Sequence, residues 1–131
     1  MSGKEPPLTV AVESVMRAPP VEALFSDTVS SVVNRMVAHK IGAVIISSGG
    51  KPVGIITERD ILERVVNARK DPDKTKASEI MSKPIITIEH NEPMRNALKL
   101  MRDKNIRRLA VTRGGNLIGI VTERRILDSL V

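Results

Sequence analysis

Thr57 and Asp60 stand three residues apart, where an apolar, strand-like run gives way to a helix-like one. This spacing is typical of a capping box, in which a threonine hydroxyl accepts from the amide three residues on and an acid reaches back. A carboxylate at the same place can also accept hydrogen bonds from the hydroxyl groups of a ligand. The local sequence favours the capping role and leaves the ligand role open.

A near copy of this motif lies 65 positions further along the chain. The segment 54–62 recurs as 119–127, and residues 12–66 align with 77–131 without a gap. Thr122 repeats Thr57, but Arg125 takes the place of Asp60. A cation in the first turn of a helix is unfavourable by about 0.3–1 kcal/mol. The substitution therefore indicates either drift at a surface or an anion held nearby.

Two further arginines of the second copy have no charged counterpart in the first. Arg107 and Arg108 precede the apolar run 109–111, where the first copy has Gly42 and Ala43. A guanidinium group can donate two parallel hydrogen bonds to two oxygens of one phosphate. A carboxylate instead accepts hydrogen bonds from sugar hydroxyls. If the copies pack about a pseudo-twofold axis, Asp60 can face these arginines across a cleft that suits a ribose with its phosphate. The alternative is a solvated loop edge.

Each copy predicts the same order of elements. Apolar residues at helical spacing, hairpins around the Gly-Gly pairs 49–50 and 114–115, and a closing helix give β-α-β-β-α. We expect an α+β fold of two tandem repeats related by pseudo-twofold symmetry, with fixed-period repetition indicating one structural unit built twice. The predicted organisation is a flexible tail at 1–9, repeat 1 at 10–67, a linker at 68–76 and repeat 2 at 77–131.

The composition narrows the range of functions. The 131 residues carry a net charge of +6, with one phenylalanine and no tyrosine or tryptophan. The charge favours anionic partners, but rings for stacking bases are almost absent. Without cysteine and with two histidines, the chain suggests no disulfide, thiolate or metal site. We find no nucleophile–base pair and predict no enzyme. No apolar run suits a membrane and no signal is evident, so a cytoplasmic location is expected.

The two in-register copies, each with a Met near a Pro at its start and the pattern Gly-apolar-apolar-Thr before the last helix, resemble the CBS domain pair, also called the Bateman module. The resemblance covers about 12–131 and implies a ligand containing adenosine: AMP, ADP or ATP, with S-adenosylmethionine a further candidate. It implies that Thr57 and Asp60 hold the ribose and that Arg107 and Arg108 meet the phosphate, with Arg124 beside them. Base-framing backbone and apolar walls are then expected at Lys83, Pro84, Ile85, Ile55 and Ile56. A weaker second site is expected at Thr122, Arg125, Gly42 and Ala43.

The function implied by the resemblance is an adenine-nucleotide-sensing regulatory module that binds its ligand in the cleft between the repeats. We expect it to form a homodimer through its helices and to signal in trans to a separate effector protein. The alternative is a basic module that binds nucleic acid or acts as a protein scaffold without a small ligand. A steep salt dependence of nucleic-acid binding would favour that alternative.

Overall fold

The computed structural model describes residues 7–131, and the first six residues of the predicted tail lie outside that range. Within it, no helix is long and apolar enough to cross a membrane. Short 3-10 turns occupy Pro7–Thr9 and Val12–Ser14, and a π-helical turn occupies Leu62–Val66. The helices are α1 Val29–His39, α2 Glu58–Ile61, α3 Ala77–Ile80, α4 Met94–Lys104 and α5 Glu123–Asp128. The strands are β1 Glu22–Leu24, β2 Ala43–Ser48, β3 Lys51–Thr57, β4 Thr87–Glu89, β5 Arg108–Arg113 and β6 Asn116–Thr122.

Two three-stranded mixed sheets have the same topology. In each sheet the middle strand pairs in parallel with the first strand and antiparallel with the third, in the orders β1-β2-β3 and β4-β5-β6. The register is also shared, since Ile45 lies opposite Ile55 and Ala110 lies opposite Ile120. The predicted α+β fold with a β-α-β-β-α repeat is confirmed.

The hairpin turns depend on glycine. Gly49 and Gly50 have φ values of +60° and +80°, and Gly114 and Gly115 have values of +58° and +86°. A two-residue hairpin turn with both central φ angles positive is of type I′, which matches the right-handed twist of the strands. Glycine is favoured there because it alone adopts positive φ at no steric cost.

The chain divides into two compact units. Residues 21–85 form one, which we call the Asp60 unit, and residues 7–20 with 86–131 form the other, the Arg125 unit. These units do not coincide with the repeats, because each unit takes in the segment that begins the opposite repeat. Ala77 and Ile80 of α3 are buried in the core of the Asp60 unit, whereas Val12 is buried in that of the Arg125 unit.

Parts of the predicted tail and linker pack against these cores. Leu8, in the tail, lies against the core of the Arg125 unit. In the linker, Thr75 is buried, and its carbonyl accepts a 2.8 Å hydrogen bond from the Val29 amide at the start of α1. The region 68–76, although charged and without an apolar period, therefore helps to position α1.

Candidate ligand site

Thr57 and Asp60 form a reciprocal cap at the start of α2. The Thr57 hydroxyl accepts from the Asp60 amide at 3.3 Å, and Asp60 Oδ2 accepts from the Thr57 amide at 2.9 Å. The Thr57 hydroxyl also lies 3.2 Å from Oδ2 and donates to it. Because both partners of the box are present, the capping role predicted from the local sequence is confirmed.

Ser82 and Arg64, which sequence analysis did not single out, complete the surroundings of Asp60. Asp60 is only 7% exposed, and its Oδ1 accepts a 2.9 Å hydrogen bond from the Ser82 hydroxyl. Arg64 Nη1 lies 3.8 Å from the same oxygen. Since a carboxylate has about four acceptor positions, further capacity remains on Oδ1. The only signal in the sequence was the i, i+4 spacing of Asp60 and Arg64.

Ser82 reaches Asp60 because its segment pairs antiparallel with β3 at Ile55. Ser82 and Ile55 exchange backbone hydrogen bonds of 2.8 and 3.0 Å. At Gly54 a Cβ would lie 2.6 Å from Met81 Sδ and 3.0 Å from the Ser82 carbonyl oxygen, so any side chain there would force Met81 and the Ser82 backbone to move. The glycine of the repeated motif and the methionine before the proline thus serve one close approach.

The other predicted residues of the nucleoside site belong to the same unit. Lys83 and Pro84 are exposed and Ile85 is half-buried, directly after Ser82. Ile55 is half-buried as well. Ile56 is fully buried in the core of the Asp60 unit, so the expectation that it forms a wall of the site is corrected in favour of Ile55 alone.

The Arg125 unit has the cap without the box. The Thr122 hydroxyl accepts from the Arg125 amide at 3.1 Å, as Thr57 does in the first repeat. The Arg125 side chain does not reach back to the cap; its Nε donates to the Val15 carbonyl oxygen at 2.7 Å. No carboxylate therefore stands at the position that corresponds to Asp60.

The remaining predicted cations line a cavity of about 640 Å³ in the Arg125 unit. Arg107 and Arg108 are exposed, and across residues 7–131 their side chains have no ion-pair partner. Arg124 lies 3.9 Å from Asp128, with both side chains largely exposed. Thr122 lines the same cavity. The structure thus groups these cations around the second motif, and it groups the candidate nucleoside residues around Asp60.

The corresponding cavity of the Asp60 unit is mostly apolar. It measures about 480 Å³ and is lined by Gly42, with Val37 and Leu62 among its apolar neighbours. A Cβ at Gly42 would lie 2.5 Å from Glu58 Oε1. Ala43 is half-buried at the start of β2. Neither Gly42 nor Ala43 has a side chain that could donate to a phosphate.

Glu89 is a carboxylate outside these sites that has a structural role. Glu89 accepts from the Thr112 hydroxyl at 2.6 Å and from the Gly114 amide at 2.8 Å. These hydrogen bonds favour the ionised form and lower the pKa of Glu89 below its ordinary value. Glu89 is therefore ionised at neutral pH and ties β4 to the second hairpin. Among the described residues, no group of three His, Asp or Glu side chains could hold a metal ion.

Comparison with known proteins identifies the family. Residues 12–67 and 77–131 each match the CBS domain. The chain belongs to the CBS domain family. Hypoxic response protein 1 of Mycobacterium tuberculosis is 31% identical over 79% of this chain and 73% of its own length. The structure of Hypoxic Response Protein I, solved with two coordinated zinc ions, has a TM-score of 0.84 at 28% identity, with coverage of 92% and 99%.

A second CBS structure carries a nucleotide. A CBS domain protein from Pyrobaculum aerophilum, complexed with AMP, has a TM-score of 0.81 at 29% identity and covers 92% of this chain and 98% of its own. Some relatives are longer. This chain spans 62%, 21% and 53% of the lengths of proteins from Methanopyrus kandleri, Methanocaldococcus jannaschii and Arabidopsis thaliana, which are 42%, 45% and 31% identical over the matched regions.

Proposed function

We propose that this CBS protein is a regulatory sensor of adenine nucleotides that binds AMP, ADP or ATP through Asp60. The observation that carries the proposal is the state of the Asp60 carboxylate. It is nearly buried, fixed by the cap of α2, and accepts hydrogen bonds from the hydroxyls of Thr57 and Ser82. A carboxylate held in this way is ready to accept from the two hydroxyls of a ribose.

Exchange of hydroxyl groups explains how the site takes a sugar. The hydroxyls of Thr57 and Ser82 can rotate away from Asp60, and the ribose hydroxyls then take their places. Because one set of hydroxyl donors replaces another, the carboxylate is never left without partners. Hydrogen bonds to a charged group contribute about 1.5–3 kcal/mol.

We propose that Arg107 and Arg108 bind the phosphate, with Arg124 beside them. Both guanidinium groups are exposed and have no acidic partner within residues 7–131, so they are available for a phosphate, which arginine binds in a bidentate manner. The AMP complex of the Pyrobaculum aerophilum relative supports an adenine nucleotide as the ligand class. Lys83, Pro84, Ile85 and Ile55 are proposed to border the base.

Titration calorimetry in moderate salt tests the function, with adenosine, AMP, ADP, ATP and S-adenosylmethionine as ligands. We expect saturable binding of an adenine nucleotide at about one per chain, tighter than adenosine because of the phosphate contacts. If none of the five binds, the sensor proposal is wrong. Salt-dependent binding to DNA or RNA in the same protein would then favour the nucleic-acid alternative.

We also propose that the protein forms a homodimer through an apolar face of the Asp60 unit and passes its signal to a separate effector protein. Val37 on α1 is 72% exposed and Leu62 is 61% exposed, and both line the apolar cavity beside Gly42. Apolar side chains exposed together favour self-association. A similar CBS-CP12 protein from bloom-forming cyanobacteria, 28% identical, is hexameric.

A further inference from the structure

Equivalent backbone carbonyls accept a hydrogen bond from an arginine in both units, but the two arginines occupy different positions in their repeats. In the Asp60 unit, Arg64 Nη1 donates to the carbonyl oxygens of Ile80 and Met81 at 2.9 and 3.2 Å. In the Arg125 unit, the carbonyl that corresponds to Ile80 under the 65-residue shift is that of Val15. It accepts from Arg125 Nε at 2.7 Å. We call this contact the carbonyl clamp.

The arginine of the carbonyl clamp stands at a different position of the repeat in each unit. Arg64 corresponds to Ser129, whose hydroxyl donates to the Ile126 carbonyl of its own helix at 2.6 Å. Arg125 corresponds to Asp60. One unit therefore uses a carboxylate followed four residues later by the clamping arginine, whereas the other uses the clamping arginine followed by a serine. The guanidinium of the Arg125 unit stands where the carboxylate would have to stand.

A second exchange accompanies the first. Ser82, which donates to Asp60 Oδ1, corresponds to Arg17. The backbone of Arg17 exchanges hydrogen bonds of 2.8 and 3.1 Å with Ile120, just as Ser82 does with Ile55. The antiparallel backbone pairing is therefore retained, but residue 17 lacks the hydroxyl that would orient a carboxylate.

We infer that Arg17, Arg125 and Ser129 together close the Arg125 unit to a nucleoside, and that Arg64 is the positioning residue that keeps the Asp60 unit open to one. The inference rests on the proposed function. Since Arg64 holds the Ile80 and Met81 carbonyls, the position at residue 60 is free to carry a carboxylate. Because the Ser129 hydroxyl bonds to Ile126, Arg125 takes over the Val15 carbonyl, and no carboxylate stands at residue 125 to accept from sugar hydroxyls.

The inference predicts that a second site cannot be created by one substitution. Arg125→Asp alone removes the clamp, so we expect a lower Tm and still about one AMP per chain. Adding Ser129→Arg returns a guanidinium to the position of Arg64 and should restore the Tm. The triple variant R17S/R125D/S129R supplies all three elements of the Asp60 arrangement, and calorimetry with adenosine, which needs no phosphate contact, should then approach two per chain.

Several outcomes would overturn the inference. If the R125D variant binds two AMP per chain and keeps the wild-type Tm, the carbonyl clamp is irrelevant. The same conclusion follows if the R125D/S129R variant has the same Tm as R125D. A folded triple variant that binds one adenosine per chain would show that these residues do not close the site. If the wild-type protein does not bind AMP at all, the proposed function is wrong. Failure of the inference and failure of the proposed function are therefore distinguishable.

Arg64 gives a test that does not depend on the triple variant. Arg64→Ser should weaken AMP and adenosine alike, by about tenfold, because the arginine orients Asp60 and its neighbours rather than the phosphate. Arg64→Lys, which keeps a donor and the charge, should recover part of that loss. An AMP affinity of Arg64→Ser equal to that of the wild type would contradict the role assigned to Arg64.

Discussion

The Asp60 carboxylate accepts from the Thr57 amide through Oδ2 and from Ser82 through Oδ1. The two oxygens thus face different tasks, because one completes the cap of α2 and the other is held by a rotatable hydroxyl. A reciprocal cap fixes the orientation of the side chain before any ligand arrives. Pre-organisation of this kind lowers the entropic cost of binding.

Arg107 and Arg108 give the prediction at the residue scale. Substitution of either by alanine should weaken AMP by about 1.5–3 kcal/mol, the range for hydrogen bonds to charged groups. Adenosine has no phosphate, so its affinity should change little. Calorimetric titration of each variant with both ligands measures the difference.

Arg95 provides the matched control for these variants. It is exposed on α4 of the same unit and is not among the residues that line the cavity of Arg107 and Arg108. Arg95→Ala should therefore bind both ligands as the wild type does. Equal weakening of AMP and adenosine by Arg107→Ala or Arg108→Ala would show that the phosphate lies elsewhere.

At the scale of elements, the helices of the Asp60 unit present one apolar face to solvent. Val29, Val32 and Met36 of α1 are buried, whereas Val37 on the same helix is exposed. Leu62, in the π-helical turn after α2, is exposed beside it in the same cavity. A buried stripe accounts for the fold of α1, and the exposed side chains are left for a partner.

This face predicts the effect of a charge on oligomeric state. Val37→Glu and Leu62→Glu should shift the protein from dimer to monomer in sedimentation velocity, because each would bury a carboxylate in the interface. The fold should persist, since both side chains are already exposed. Leu24→Glu is the control: Leu24 is exposed on β1 of the same unit and does not line that cavity. A dimer that survives both substitutions at Val37 and Leu62 would place the interface elsewhere.

At the scale of the whole molecule, most of the fold could be predicted because the sequence contains two copies of one unit. Helical periodicity, short apolar runs and the Gly-Gly turns are local patterns that predicted the β-α-β-β-α order. The repeated threonine before each closing helix predicted both caps. Thr57 and Asp60 were predicted because they lie three residues apart. Ile56 was wrong as a wall because an apolar run does not show how deeply each of its residues is buried.

The contacts that local patterns do not specify were missed. Ser82 lies 22 residues from Asp60, and the Ile80 carbonyl lies 16 residues from Arg64. Both contacts arise because residues 77–85 pack with the Asp60 unit although they begin the second repeat. A repeat in the sequence fixes equivalent positions, but the unit in which a connecting segment packs depends on long-range contacts. The same holds for residues 7–20 in the Arg125 unit.

The central claim is that Asp60 holds the sugar of an adenine nucleotide, and the most direct test is calorimetric titration of Asp60→Asn with AMP beside the wild type. Asparagine keeps the shape of the side chain and an acceptor for the cap but removes the charge. Asp103→Asn is the control, because Asp103 is exposed and paired with Lys99 at 2.8 Å. We expect about one AMP per chain for the wild type and the control, and an affinity lower by about 1.5–3 kcal/mol for Asp60→Asn. An AMP affinity of Asp60→Asn equal to that of the wild type would contradict the account.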